Sequence, residues 1–279
     1  MHLLYLMRYS YFGQSGWRGE ASRDPGKLFD PKRLEEREYF LRKVALPSLR
    51  DQTDQGFNLI VLSSTLMPEK YQTRLKDICH DMLGSRAHVI FREPDSTSRV
   101  FQKYRWQTFD RYAHTAQIVL DDDDAVGVDF TADLRGEANA AVTLRKANQP
   151  NYTFLSWPRG VTAEFKEGAL KLIPRNVPAT NLGLTVVAPT ESHRSPFRVA
   201  HHKVLERRPV RVIHTLEPQY IRSVHGTNDS KGRRGDASVR EEEMPRLYDT
   251  FPLLNGLKTD WKMPFSDEVP AGDMKIAAE

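Results

Sequence analysis

Residues 117–130 read QIVLDDDDAVGVDF, and this stretch decides the fold. After Gln117 the run to Leu120 is apolar, as in a strand buried on both faces. Asp121, Asp122, Asp123 and Asp124 follow with no spacer, and Ala125-Val126-Gly127-Val128 is again mostly apolar. The aspartates therefore stand where a core strand meets its loop, not in a solvated acidic tail. Neighbouring carboxylates repel, and burial raises their pKa values unless a cation neutralises them. In parallel α/β sheets, ligands bind at the carboxyl ends of the strands.

Outward from this stretch, strand and helix signals alternate. His2–Tyr9 reads as a first strand. Gly13–Pro31 carries four glycines (Gly13, Gly16, Gly19, Gly26) and two prolines, and with Trp17 it reads as a long loop able to act as a flap. Pro31 opens a helix over Lys32–Leu49, with Leu34, Leu41, Val44, Ala45 and Leu49 near one face. Phe57–Leu62 is a buried strand, Pro68–Leu83 a helix closed by Gly84, and Ala87–Phe91 a third strand. Ser98–His114 has helical spacing, Gln117–Leu120 is the fourth strand, and Phe130–Val142 is helical. The rhythm predicts an α/β fold, an open and mostly parallel sheet with helices on both faces.

Beyond Asn148 come short β-like runs: Tyr152–Trp157, Val161–Phe165, Ala169–Ile173, Gly183–Ala188 and Val210–His214. They read as a short antiparallel extension of the same sheet. Residues 1–230 are expected to form one folded domain. Residues 231–279, rich in Gly, Arg and Glu at their start, read as a loosely packed tail, partly helical near Val239–Leu247.

Composition bounds the function. The chain has 279 residues, 39% hydrophobic and 28% charged, and a mean hydropathy of −0.58, a balance that excludes wholesale disorder. No apolar run approaches the roughly 18 residues of a membrane span. Arg8 stops the apolar stretch Met1–Met7 and no small-residue cleavage site follows, so no secretory signal is read. One cysteine, Cys79, rules out a disulfide framework and a cysteine-based zinc site. The expected location is cytoplasmic. The net charge is +4, with arginine outnumbering lysine 27 to 14. That suits an anionic partner, a nucleotide, a phospholipid surface or a nucleic acid, and equally a basic surface with no special partner.

A hard divalent cation, Mg²⁺ or Mn²⁺, is the natural partner of the aspartates, because such ions take one or two carboxylates and share the rest with water and phosphate. In extended chain, alternate residues point the same way, so Asp121 and Asp123 would face one ion. Asp122 and Asp124 would face elsewhere and are candidates for donor contacts. The bland alternative is a solvated acidic loop or helix N-terminus. An EF-hand is excluded, because its spacing of Asp, Gly and Glu is absent.

In this light QIVLDDDDAVGVDF resembles the Asp-x-Asp segment of GT-A glycosyltransferases. More closely, the chain resembles the bacterial family named as putative rhamnosyltransferases. LMRYSYF (6–12), LPSLRDQTDQGFNLIVLSS (46–64), the aspartate segment and IRSVHGTNDS (221–230) carry the resemblance, which spans residues 1 to about 230. It implies a GT-A-like fold in which Asp121 and Asp123 hold a metal bound to a nucleotide-sugar diphosphate, with His225 completing the metal site. A polar turn beside Gly226 is the other reading of His225. The implied reaction moves a sugar, such as rhamnose from dTDP-rhamnose, to a hydroxyl on a glycan, lipid or peptide. A lipid-linked acceptor would bring peripheral contact with the inner face of a membrane, and no nucleic acid is expected.

Arg8 ends the first strand within reach of a diphosphate. Arg99 and Lys103, four apart on one helix face, could line a phosphate site or a solvated basic face. Trp157-Pro158-Arg159-Gly160 reads as a border of the sugar site or a packed turn. An inverting transferase needs a general base. Glu164, Glu167, Glu191 and Glu206 qualify, and Glu191 is preferred because it follows the apolar run Leu184–Ala188 and would leave a sheet end into a cleft. Two other classes compete: a metal-dependent phosphodiesterase or nuclease, which would need no sugar donor, and a non-catalytic carbohydrate- or nucleic-acid-binding module, whose binding would survive loss of the aspartates.

Overall fold

In a computed structural model, the described residues are 1–14, 19–166, 169–226 and 238–260. The strands in chain order are β1 (His2–Arg8), β2 (Phe57–Ser64), β3 (Ala87–Arg92), β4 (His114–Val119), β5 (Ala125–Val126), β6 (Thr153–Ser156), β7 (Arg159–Lys166), β8 (Ala169–Asn176), β9 (Thr185–Pro189), β10 (Val210–Val212) and β11 (Tyr220–Val224). Seven form one sheet in the order β10-β6-β9-β4-β1-β2-β3. In it β9 runs antiparallel to both neighbours, while the β1–β2, β2–β3, β1–β4 and β10–β6 pairs are parallel. Every residue of β1 is buried, as expected for a central strand covered on both faces.

The chain leaves β1 toward β2 and β3, then returns to place β4 on the other side of β1. That reversal creates a crevice between the carboxyl ends of β1 and β4, the place where open α/β sheets bind ligands.

The later strands correct one expectation. Only β6, β9 and β10 extend the main sheet. β7, β8 and β11 join β5 in a separate four-stranded sheet, ordered β5-β11-β7-β8. β7 and β8 form an antiparallel hairpin, and β5, just past the aspartates, pairs with β11. The second sheet thus grips the aspartate segment from its far side.

The helices in chain order are α1 (Pro25–Leu28), α2 (Pro31–Phe40), α3 (Leu46–Arg50), α4 (Glu69–Leu83), α5 (Thr97–Thr108), α6 (Phe130–Thr143), α7 (Val204–Arg207), α8 (Met244–Thr250) and α9 (Leu253–Asp260). α4 follows its sequence pattern: Tyr71, Leu75, Ile78, Cys79 and Leu83 are buried on one stripe, and Gly84 closes the helix at a φ of +58°. α5 ends sooner than its spacing suggests, because His114 already belongs to β4.

The helix expected over 32–49 is present but interrupted. Between α2 and α3, Leu41–Ala45 widens into a π-helical turn. Pro47 lies just beyond, and its missing N–H and bulky ring disfavour regular α-helical bonding back to this turn. The apolar stripe still faces inward: Leu34, Leu41, Val44, Ala45 and Leu49 are all fully buried. Charged residues of α2 are buried too, among them Arg33, Glu36, Arg37 and Glu38. Buried charges of this density need partners.

The described part of the supposed tail is not loosely packed. Leu247, Phe251, Leu254 and Leu257, from α8 and α9, are buried in one cluster with Phe40, Val44, Val161, Phe165 and Ile221. Their apolar spacing across two short helices serves as a cover for the second sheet. The boundary expected at 230–231, and residues 261–279, lie outside the described residues. So do Gly16 and Trp17 of the expected flap; what precedes and follows is tied down locally, with Gln14 bridging Ser96 and Asp24 capping α1. No helix among the described residues is long and apolar enough to cross a membrane.

Candidate functional site

The register between β1 and β4 pairs Leu6 with Val119. Two residues further along both strands, Arg8 meets Asp121, its Nη2 donating to Oδ1 at 2.7 Å. Asn181 donates to the other Asp121 oxygen at 3.3 Å. Arg8 is buried and its guanidinium lies 5.1 Å from the centre of the Phe197 ring. The residue expected to reach the ligand from the end of the first strand is therefore at the crevice, held by the first aspartate.

The aspartates do not continue the strand. They form a turn, with the Asp124 N–H donating to the Asp121 carbonyl at 3.3 Å. The two-residue alternation of extended chain does not apply, and the expectation that Asp121 and Asp123 face together fails for that reason. Instead Asp122 and Asp123 share one cation. Arg37 of α2 donates from Nε to Asp122 Oδ2 at 3.0 Å and from Nη1 to Asp123 Oδ2 at 3.0 Å, and its Nη2 pairs with Asp122 Oδ1. Asp122 is completely buried, so it is a structural anchor rather than a donor contact. Asp124 is also buried, and its Oδ1 accepts from the Ser223 N–H of β11 at 2.8 Å. That too binds the turn to the fold rather than to a donor. Asp121 alone of the four is partly exposed.

His225, at the end of β11, completes the cluster. Its Nε2 lies 2.9 Å from Asp123 Oδ2 and its Nδ1 lies 3.1 Å from Glu36 Oε1. The ring is buried and stacks on Phe40, with centroids 3.9 Å apart and planes 15° apart. Glu36, Arg37 and Phe40 thus reach the site from a single stretch of α2. Burial pushes the Asp123 carboxyl up, but the Arg37 charge and the His225 contact outweigh it and hold the group below the usual carboxylate range. Asp124 goes the other way: burial, then the charges of Asp123 and Asp121, raise it well above that range despite the Ser223 bond and Arg222.

The structure sets Arg8 against Asp121 and His225 against Asp123 at the same strand end, leaves Asp121 apart from the Asp123–His225 pair, and adds Glu36, Arg37, Phe40 and Asn181. It does not bring in Arg99 or Lys103. Both are exposed on α5, and Arg99 is spent on Asp95 at 2.9 Å. Glu191 is a correction of larger consequence. Because β9 is antiparallel to β4, Pro189 pairs with His114 and the chain leaves β9 at the opposite end of the sheet. From His114 to Asp121 the strand path is roughly 20 Å. Glu191 is exposed there, too far to act as a base at the aspartates. Trp157 is a core residue packed edge-on against Phe130, not a border of the site.

For a divalent ion the donor chemistry fits in part. A carboxylate oxygen and an imidazole nitrogen 2.9 Å apart have the spacing of two adjacent ligands on perpendicular bonds of about 2.1 Å. Asp121, held by Arg8 and Asn181, does not stand with them. Among the described residues no group of three His, Cys, Asp or Glu side chains is gathered for an ion. A cation here would rest on Asp123 and His225 and take its remaining ligands from water and bound phosphate.

A family model described as "Putative rhamnosyl transferase" matches residues 2–237. No curated protein matches the chain. Among solved structures, TarS of S. aureus is similar over 80% of this chain and 37% of its own, at 11% identity and a TM-score of 0.45. The 1–349 fragment of TarS in complex with UDP matches over 80% of this chain and 61% of its own, at 10% identity and a TM-score of 0.41. A putative nucleotide-diphospho-sugar transferase from Desulfovibrio desulfuricans G20 matches over 92% of this chain and 96% of its own, at 11% identity and a TM-score of 0.39. The chain therefore spans well under half the length of the full TarS chain it matches.

Proposed function

We propose that this chain, which belongs to the putative rhamnosyl transferase family, is a metal-dependent glycosyltransferase that moves a sugar from a nucleotide-sugar donor to a hydroxyl acceptor. A glycosyltransferase is what the family membership gives. The finer terms, a divalent ion, a donor such as dTDP-rhamnose, and a glycan, lipid or peptide acceptor, are our reading. The observation that carries it is the contact of Asp123 with His225 at the strand end where Arg8 meets Asp121, in the crevice at the carboxyl ends of β1 and β4.

The residues divide the work in a way that suits a leaving diphosphate. Arg8 and Asn181 orient the partly exposed Asp121 at the crevice mouth, as a hydrogen-bond acceptor for the donor's sugar hydroxyls. Arg37 pairs with the buried carboxylates of both Asp122 and Asp123, so the turn holds its shape without solvent. Asp123 and His225 would hold Mn²⁺ or Mg²⁺, which supplies positive charge against the diphosphate as it departs. Preorganised side chains of this kind cost no rearrangement during reaction.

A thermal-shift series tests this reading. The chain is heated with UDP, dTDP, UDP-glucose and dTDP-rhamnose, each with and without Mn²⁺. A true donor at one hundred times its Kd adds about 2.7 kcal/mol by mass action, so one nucleotide should raise Tm by several degrees, and more with Mn²⁺ than without. Equal Tm values with every nucleotide, with and without the ion, would sink the donor and metal reading.

A further inference from the structure

Glu36 has no role in the reading above, yet it is a buried carboxylate on the one ring nitrogen of His225 that faces away from Asp123. A neutral imidazole has one nitrogen that donates and one that accepts, and the partner on one side decides which is which. Asp123 and Glu36 are both acceptors only, so an ion taking Nε2 and the Asp123 oxygen would leave the ring proton on Nδ1, facing Glu36. We propose that Glu36 is a positioning residue for His225: it accepts a hydrogen bond from Nδ1–H and so presents Nε2, with its lone pair, to a divalent cation shared with Asp123. The inference rests on the metal reading above and deepens it.

Three further features agree. The ring is clamped in its plane by Phe40, one helical turn from Glu36 on the same face of α2. Swinging the ring would break both the stack and the Glu36 contact. Arg37, between them in sequence, reaches the other partner, Asp123, at 3.0 Å. One stretch of helix therefore sets both the nitrogen and the oxygen. Finally, the helix changes to π geometry immediately after Phe40, and such widened turns occur often at functional sites. Carboxylates placed behind metal-bound histidines in this manner fix ring orientation and raise ligand basicity, and losing one typically weakens metal binding about 10- to 100-fold.

The test reads Mn²⁺ alone, by the electron paramagnetic resonance signal of the free ion, in the parent chain and in Glu36→Gln, Glu36→Leu and His225→Ala. Gln keeps the size of Glu but can turn its NH₂ toward Nδ1, which moves the ring proton to the ligating nitrogen. The expected result is a loss of Mn²⁺ affinity of about 10-fold or more in Glu36→Gln, and at least as much in Glu36→Leu. The ¹⁴N modulation of imidazole in the spin-echo spectrum of bound Mn²⁺ should weaken in both, a change that a merely structural role would not produce. Tm of Glu36→Gln should stay near that of the parent, so the proposal survives a Leu variant that fails to fold. If His225→Ala loses Mn²⁺ while Glu36→Gln binds like the parent, the positioning role is overturned and the metal reading stands. If the parent takes up no Mn²⁺, the metal reading falls and this inference with it.

Discussion

The two ends of β4 are built from opposite materials. At the carboxyl end, Arg8, Arg37, Glu36, His225 and three of the four aspartates are buried, and each has a charged or hydrogen-bonding partner. At the amino end, Glu191 is exposed, and the buried guanidinium of Arg105 holds the loop after β9 by donating to the carbonyls of Thr190 and Ser192. A cavity of about 410 Å³ near that end has Ala141, Val142, Leu144, Tyr152 and Val187 in its walls, with Arg145 and Arg211 among them. Burying charge is costly unless pairing is close and complete. Of the two ends, the carboxyl end is the one where buried acids, arginines and a histidine are gathered and paired with one another.

The largest expected effect comes from breaking the shared cation. Arg37→Met keeps most of the bulk but leaves Asp122 and Asp123 buried without it. Removing one partner of a buried ion pair costs about 3–5 kcal/mol, so Tm should fall by roughly 10 °C. A calorimetric scan showing less than a degree of change would mean the carboxyl end is not held by its charges. Next is Asp123→Asn. The amide keeps an acceptor for Arg37, so circular dichroism should match the parent, while kcat/KM for sugar transfer falls by about 100-fold, or about 2.7 kcal/mol. Unchanged kcat/KM would place the chemistry elsewhere.

Within the turn itself Asp124 contrasts with Asp123, since burial and its two acidic neighbours raise its pKa. A folded pKa above the unfolded one means that the parent loses stability as pH rises from the unfolded value through the folded one. Asp124→Asn can still accept from Ser223 and does not pay that cost. It should therefore be more stable than the parent at pH 8, by about 2–4 °C in Tm, with the gain shrinking as pH is lowered toward 4. A gain that grew toward acid pH would reverse the assignment.

Much of this was legible in the residues. The run QIVLDDDD placed the aspartates at the end of a core strand, and the alternation of strand and helix gave the parallel sheet with Arg8 at its edge. Arg37 was missed although a signal was present. The apolar stripe of α2 runs Leu34, then 37, then Leu41, so a charged residue at 37 had to point inward and needed a buried partner. Glu36 carried no such signal, because its partner lies 189 residues away and only the packing of β11 on the helix joins them. The turn at Asp121–Asp124 was misread as extended chain because four identical residues carry no periodicity. The second sheet escaped because short β-runs say nothing of which sheet they join until pairing is known.

Glu191 is the sharpest case of that last kind, and it sets the smallest expected effect. An apolar run followed by Pro189-Thr190-Glu191 reads the same whether the strand points up or down. Direction is fixed only by pairing, and the β4–β9 register, His114 with Pro189 through Ile118 with Thr185, points it down. A base must reach the proton it removes directly or through one water, and a side chain some 20 Å along the sheet cannot. Glu191→Gln should therefore leave kcat, KM and the pH profile of sugar transfer within about twofold of the parent, which is ~0.4 kcal/mol. The same holds for Tm, since surface substitutions away from special features stay within about 0.5 kcal/mol. A tenfold fall in kcat with KM unchanged would break the contrast between the two strand ends, because chemistry would then depend on the end that lacks the buried acid cluster.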